Sequence, residues 1–407
     1  MSNLDNDQRL ASVFSESIGH ARNREQSAFD EAAGVLTNSI VLYGAGNFGR
    51  RVLRGLRKNG VNVLAFADLD STLCGKKIDG VPVLSPEDAA RTYGRTAAFV
   101  VCVWHPDKHF GVQRIIDQLL AMDVHRVVPF VYLFWKYPHT FLPHYFWDLP
   151  SKYLEREDVI RETYESFDDP TSKMQFIADL ELRTTGLFRG RPLPCTGQQY
   201  FPEEIFHVSA DECFIDCGGY DGDTIRALIE ESDGRFRRIL ALEADPENFS
   251  RLEAYLAALP EFHNRIGIHQ AAVARVAGTL RFAATAAGNA AVSSCGESIV
   301  NCVALDEVLS DEIPTMIKMD IEGSELDALE GAAHTIASHK PILAICLYHR
   351  PEHFWEVPLR MKSAEPEARL YLRSYAVDGF DTVCYAVPPA RCIQESERIT
   401  GAGERAA

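Results

Sequence analysis

Phe214-Ile-Asp-Cys-Gly-Gly-Tyr-Asp-Gly-Asp-Thr224 decides the fold. An apolar run ends in Asp216, the glycines Gly218, Gly219 and Gly222 turn the chain, and a helical pattern follows. Strand, glycine turn and helix form the unit from which an open α/β sheet builds a ligand site at the carboxyl ends of its strands. The next strand, Ile239-Leu-Ala-Leu-Glu243, closes on an acid 21 positions after Gly222. A carboxylate so placed can accept from both hydroxyls of a ribose.

The glycine spacing is not that of a phosphate cradle. A dinucleotide turn wants G-x-G-x-x-G, whereas this one reads D-x-G-G-x-x-G with an acid leading. That acid repels a pyrophosphate and attracts a cation. S-adenosylmethionine carries an ammonium and a sulfonium but no phosphate, so charge favours it as the cofactor. On this reading Gly218 and Gly219 let the backbone approach the ligand and Gly222 permits the turn, with Tyr220 and Thr224 beside them. Asp216 accepts the donor's ammonium, and Glu243, followed by Ala244, holds the ribose. Ala271 and Ala272, after the third strand, leave room for adenine.

A second informative stretch is Met316-Ile-Lys-Met-Asp-Ile-Glu-Gly-Ser-Glu325. Lys318 and Asp320 share one face of a strand, Ile317 and Met319 the other. A lysine inside an apolar strand requires a carboxylate partner, and Asp320, Asp306 and Glu325 are the candidates. The strand Ile342-Leu-Ala-Ile-Cys-Leu-Tyr-His-Arg350 brings Tyr348, His349 and Arg350 to the same edge. His349 is read as the general base of the reaction, with Asp320 and Glu322 shaping the edge and Lys318 holding Asp320. Asp320 also counts among the cofactor contacts. The expected lysine–aspartate pair argues against a metal at Asp320, and no metal is expected.

The chain has 407 residues, 46% of them hydrophobic and 24% charged, with a formal charge of −17. Two domains of a soluble globular protein follow. The negative charge argues against a nucleic-acid partner, and no window resembles a membrane span. Met1 to Gly34 is polar and helical in pattern, without the apolar run of a signal peptide. The ten cysteines lie mostly inside apolar strands and suit buried thiols in a cytoplasmic protein. Alternating strands and helices imply an α/β fold. The expected division is a polar helical segment at 1–37, a Rossmann-like domain at 38–130, an aromatic and helical connector at 131–199, a C-terminal domain at 200–390 and a flexible tail at 391–407. In the C-terminal domain single helices are expected from Pro246 to Leu259 and from Ser324 to His339, and a hairpin from Arg369 to Val387 turning at Asp378-Gly379.

In the N-terminal part, Ile40-Val-Leu-Tyr43 leads into Gly44-Ala-Gly-Asn-Phe-Gly49, and Asp68 follows Gly49 by 19 positions. Gly44, Gly46, Asn47, Phe48, Gly49 and Asp68 are thus candidate nucleotide contacts. From Phe130 to Trp147 the chain carries nine aromatic residues with His139 and His144 among them. They are either a packed connector or a wall against which an acceptor ring could stack. Tyr132-Leu-Phe-Trp-Lys136 matches the Y-x-x-x-K of short-chain dehydrogenases, but no serine lies between Ser85 and Ser151 to complete that chemistry.

Together, Glu212 to Thr224, Leu305-Asp-Glu-Val-Leu309, Ile317 to Glu325 with Leu329-Glu-Gly331, and the strand Pro341 to His349 resemble the FkbM-type family of S-adenosylmethionine-dependent methyltransferases. The resemblance implies a class I methyltransferase domain, with a seven-stranded, mostly parallel sheet and an antiparallel hairpin strand, and O-methylation of a hydroxyl on a carbohydrate, glycoconjugate or secondary metabolite. It implies cofactor roles for Asp216, Gly218, Gly222 and Glu243 and an active-edge role for Asp320 and Glu322. The N-terminal part, with Gly75-Lys-Lys-Ile-Asp-Gly-Val-Pro-Val-Leu84, looks like the nucleotide-sugar-binding domains that precede some bacterial sugar acyltransferases. The partners so implied are a small-molecule or glycan acceptor and a nucleotide-sugar. Two rivals remain. One is an NAD-dependent or nucleotide-sugar-modifying enzyme working from the N-terminal domain; the other is a non-catalytic protein that recognises nucleotide-sugars.

Overall fold

A computed structural model describes residues 5–103, 111–283, 291–292, 298–309 and 312–393. The expected tail beyond Ile393 lies outside them. The chain divides into two compact units. One comprises Met1–Arg161, Met174–Pro194 and Ser374–Phe380, and the other Glu162–Lys173, Cys195–Arg373 and Asp381–Ala407.

The first unit holds a six-stranded sheet of β1 (Ile40–Tyr43), β2 (Val63–Ala67), β3 (Lys77–Ile78), β4 (Val81–Leu84), β5 (Ala98–Val101) and β6 (Val127–Pro129), in the order β3-β4-β2-β1-β5-β6. All its pairings are parallel except β3 with β4. The strands β1 and β5 are buried throughout, as continuous apolar runs in a parallel sheet must be. The helix Asn47–Lys58 follows β1 directly and buries Val52, Leu53 and Leu56. The polar N-terminal segment forms the helices Asn6–Val13 and Ile18–Ala33, opened by Asp5 and Ser17 as side-chain caps. The aromatic stretch belongs to this unit's core. Phe130, Phe134, Trp135, Phe141, Phe146 and Trp147 are all buried, so of the two expectations the packed segment is the one these six rings meet.

The second unit is built on a seven-stranded sheet: β7 (Cys213–Cys217), β8 (Arg238–Glu243), β9 (Ile266–Gln270), β14 (Met316–Met319), β15 (Ile342–Cys346), β16 (Arg369–Ser374) and β17 (Thr382–Val387). Their order is β16-β17-β15-β14-β7-β8-β9. The five strands from β9 to β15 run parallel, and β17 is antiparallel to β15. This is the seven-stranded arrangement expected from the resemblance. Four further strands, β10 (Ala272–Val273), β11 (Gly278–Ala283), β12 (Ala291–Val292) and β13 (Ser298–Val303), form a separate small sheet. Along β13 burial alternates: Val300 and Cys302 face inward while Ile299 and Asn301 are exposed. That pattern suits a sheet with one open face rather than a place in the buried parallel one; β13 is antiparallel to β11 and parallel to β10.

The expected single helix from Ser324 to His339 is two, Glu325–Gly331 and Ala333–His339. At Gly331 the backbone runs so close that a Cβ would stand 2.2 Å from the carbonyl oxygen of Ala274. The second helix starts afresh, with Asp306 accepting from the backbone N–H of His334 (3.0 Å) and Thr335 (2.8 Å). Asp306 therefore serves a helix end and not Lys318. The other expected helix stops earlier, spanning Pro246–Ala257 and opened by Asp245.

The turn after β7 depends on Gly218. Its φ is +87°, and a Cβ there would lie 2.0 Å from the Asp320 carbonyl oxygen. Gly219 has no such φ, and its Cβ would meet Leu252 and Ala241 at 3.2–3.3 Å. Gly218→Ala is therefore expected to lower unfolding stability by about 2 kcal/mol or more, and Gly219→Ala by about half as much. Urea midpoints at unchanged m-value measure both; equal losses would show that the left-handed turn is not the constraint.

Candidate functional site

The carboxyl ends of β7, β8, β14 and β15 carry the charged residues, because each strand there hands over to a turn while its body stays apolar and buried. Beside them is a cavity of about 240 Å³. Of the residues expected at a cofactor, Gly218, Tyr220, Thr224, Glu243, Ala244, Ala271, Ala272 and Asp320 line it, as do Lys318 and Glu322. Gly219 and Gly222 support the turn from behind, the latter against Tyr255.

Glu243 is fixed by the backbone. One carboxylate oxygen accepts from Tyr220 N–H at 2.9 Å and the other from Asp245 N–H at 2.7 Å. Burial raises its proton affinity and these two donors oppose the rise. Each oxygen keeps a lone pair for a further donor, such as a hydroxyl.

Asp216 differs from expectation. It is fully buried in β7, directly across from Lys318 in β14. Lys318 Nζ donates to Asp216 Oδ1 at 2.9 Å and to the Gly218 carbonyl at 2.6 Å. Burial pushes the Asp216 carboxyl up to about 6, against the opposing pull of Lys318. Burial also disfavours charge on Lys318, but Asp216, then Asp320, outweigh it and hold the ammonium protonated. The expected Lys318–Asp320 hydrogen bond is replaced by this pair, and the argument against a metal drawn from it falls away. Among the described residues no group of three or more His, Cys, Asp or Glu is arranged to hold a metal ion.

Asp320 is held instead by oxygen and imidazole donors. Tyr200 Oη donates to Oδ2 at 2.7 Å, Tyr348 Oη donates to Oδ1 at 3.1 Å, and His349 Nε2 stands 3.1 Å from Oδ1. Burial would raise its pKa, but His349 more than reverses that, with help from Lys318 and Tyr200, and Asp320 stays below the ordinary carboxylate range. Glu322 has no such set of donors. Burial, then the charges of Asp320 and Glu325, push it up to about 8 although His349 pulls the other way.

His349 does not line the cavity, and its side chain is 1% exposed. Its Nδ1 lies 2.6 Å from Glu325 Oε1. Burial opposes its charge, yet Glu325, Asp320 and Glu322 raise its pKa well above the ordinary value. Buried behind the cavity with Nδ1 on Glu325, His349 is not placed to meet a substrate hydroxyl as the expected general base would be. Sequence reasoning also missed Tyr200 and Asn248, which line the cavity. Tyr200 precedes β7 in a stretch without regular structure, at φ +77°, where periodicity carries no signal. Asn248 follows Glu243 in the first turn of Pro246–Ala257, a position the strand-end argument could have reached.

In the first unit Gly44, at φ +110°, opens the glycine turn, and Gly46 caps the helix Asn47–Lys58. Gly49 lets that helix approach, since a Cβ there would stand 1.9 Å from the Gly44 carbonyl oxygen. Phe48 points away into the aromatic cluster, stacked on His144 with ring centroids 5.4 Å apart. The Asp68 oxygens accept from Ala45 N–H (2.6 Å) and Asp70 N–H (2.9 Å), so this acid already braces its own loop.

Residues 216–376 match the Methyltransferase FkbM domain family. The chain is similar to methyltransferase FkbM from Methylobacillus flagellatus KT, at 23% identity and a TM-score of 0.73, over 94% of this chain and 98% of that one. Weaker likenesses include an rRNA methylase from Streptococcus thermophilus (12% identity, 47% of this chain and 93% of that one, TM-score 0.30) and RSP, a Rex-family repressor (19%, 27% and 50%, TM-score 0.21). Likenesses that slight carry no argument. No curated protein matches the sequence. The second unit thus carries the match to the methyltransferase FkbM domain, and the likeness over 94% of the chain shows a shared fold.

Removing one member of the Lys318–Asp216 pair strands the other's charge in the sheet. Lys318→Met is expected to lower stability by about 3–5 kcal/mol, and adding Asp216→Leu to recover more than half of the loss. Urea unfolding of both variants decides it; a double variant no better than the single would remove the pair from its assigned role.

Proposed function

We propose that the second unit transfers the methyl group of S-adenosylmethionine to a hydroxyl of a carbohydrate, glycoconjugate or secondary metabolite. The observation that carries this is the charge of the cavity. Asp223, Glu243, Asp320 and Glu322 line it, and the one lysine of the lining, Lys318, is hydrogen-bonded to Asp216. A site with this balance suits a nucleoside bearing an ammonium and a sulfonium and is hostile to a diphosphate.

The residues fit that donor. Glu243 can accept from ribose hydroxyls through its remaining lone pairs, and Ala244, Ala271 and Ala272 present small side chains to a flat base. Asp223, Asp320 and Glu322 are available to the cationic end. When bound, the donor supplies an electrophilic methyl carbon. The chain must then hold the acceptor oxygen in line with it, keep water out and take up one proton. The same acids disfavour a phosphorylated or carboxylated group at the reacting end of the acceptor, which supports a neutral hydroxyl. The proposed setting is the cytoplasm; no helix among the described residues is long and apolar enough to cross a membrane. The rival readings use the glycine turn of the first unit, whose acid, Asp68, is engaged by backbone N–H groups.

Titration calorimetry with S-adenosylmethionine, NAD and a panel of nucleotide-sugars separates these readings. S-adenosylmethionine is expected to bind with release of a proton near neutral pH. The sign follows from Glu322, whose pKa of about 8 in the free site must fall when a cation binds beside it. Affinity should therefore rise with pH and level off above about 8. Glu322→Gln should abolish both effects, and proton release that survives the substitution would move the site elsewhere.

A further inference from the structure

Behind the cavity wall lies a row of ionisable groups that donor binding does not use. Glu325, the first residue of Glu325–Gly331, is fully buried and accepts from Ile321 N–H at 3.0 Å and from His349 Nδ1–H at 2.6 Å, both on Oε1. Its Oε2 is 3.3 Å from Nδ1 of His353, the first residue of the helix His353–Ala364. On its other side His349 Nε2 faces Asp320 Oδ1 at 3.1 Å and Glu322 Oε1 at 3.8 Å. The charged and titratable groups around the imidazole are thus Asp320 and Glu322 from the turn after β14, Glu325 from its helix, His353 from the helix behind, and Tyr348 and Arg350 from its own segment. Asp320 and Glu322 both line the cavity and face this ring; Asp320 is the nearer, and its side chain keeps 25% of its surface against 15% for Glu322.

We propose that Glu325 and His349 are positioning residues, a buried carboxylate–imidazolium–carboxylate chain that fixes Asp320 as the acceptor of the substrate proton. This rests on the reading of the site as a hydroxyl methyltransferase. Nδ1 is engaged by Glu325 at 2.6 Å, and Nε2 faces Asp320 at 3.1 Å without the alignment of a hydrogen bond, so neither nitrogen is turned to a substrate. It can only brace. Its charge keeps Asp320 ionised, and its geometry, with the Tyr200 and Tyr348 hydroxyls, sets the plane of the carboxylate. In the step, the acceptor oxygen bonds to the methyl carbon while the electron pair of the broken carbon–sulfur bond stays on sulfur. The hydroxyl proton passes to Asp320, leaving a methyl ether, a neutral thioether and a carboxylic acid. An alkylated hydroxyl is a far stronger acid than a carboxylic acid, so a weakly basic carboxylate suffices once that bond has begun to form.

The test compares the intact chain with its Glu325→Gln and His349→Gln variants. Nitrogen NMR follows the His349 ring, carbon NMR follows the Asp320 carboxyl, and calorimetry measures S-adenosylmethionine binding. In the parent protein both ring nitrogens should carry protons at about pH 8, above the ordinary histidine range. Glu325→Gln should lower the ring's midpoint by about one unit or more, and His349→Gln should raise that of Asp320 by about as much, a tenfold change in proton affinity each. Donor binding should persist in His349→Gln, since that ring does not line the cavity. With labelled donor and a host glycan extract, the acid limb of the transfer rate should move up in step with the Asp320 midpoint. A parent ring that titrates near the ordinary value, an Asp320 midpoint unmoved in His349→Gln, or an acid limb that stays put while the midpoint moves overturns the proposal. Glu325→Gln keeps the test open if His349→Gln does not fold. A parent protein that binds no S-adenosylmethionine would defeat the functional reading instead.

Discussion

The ion pair between Lys318 and Asp216 is the constraint on which the second unit is arranged. Both sit in adjacent central strands of the sheet, opposite one another and almost wholly buried. Two charges in such a place are tolerated only with good geometry and further hydrogen bonds. Lys318 meets that condition by also binding the Gly218 carbonyl, which ties the glycine turn to the neighbouring strand. The same turn sends Tyr220 N–H to Glu243 at the end of the next strand. One buried ammonium thus registers three strand ends, and the cavity takes its outline from them.

Around that outline the acids are not alike, although the sequence writes them all as Asp or Glu. Glu243 is restrained by two backbone donors, Asp320 by hydroxyls with an imidazole beside them, and Glu322 by neither. Desolvation acts on all three, and what differs is the compensation. A carboxylate held by backbone donors, one kept below the ordinary range and one pushed above it can in this way share one rim.

Much of this was legible from residue order. The strand–glycine–helix unit at Phe214–Thr224, the acid closing β8 and the family resemblance led to the sheet and to most of the cavity lining, because each depends on local pattern. Pairing across strands was not legible. Lys318 demanded a carboxylate, but which one depends on the register of β14 against β7, whose partners stand 102 residues apart in the chain. The same blindness made His349 look like a base, since the burial of Glu325 and its approach to the ring come from packing. Tyr200, in an irregular stretch with no period, left no mark at all. The break at Gly331 was hidden because helical apolar spacing continues through it, and the backbone crowding that interrupts it comes from residue 274.

Neither unit is a continuous length of polypeptide. The first takes in residues 174–194 and 374–380 from beyond Arg161, and the second reaches back for 162–173. The farthest of these pieces, the loop joining β16 to β17, carries Asp378, whose carboxylate accepts from Val112 N–H at the start of the helix Val112–Ala121. A gene fragment ending anywhere before that loop would therefore encode a first unit with an uncapped helix, however complete its own sheet. The two halves are spliced in sequence rather than strung together, and the first depends for this cap on a loop encoded near the end of the second.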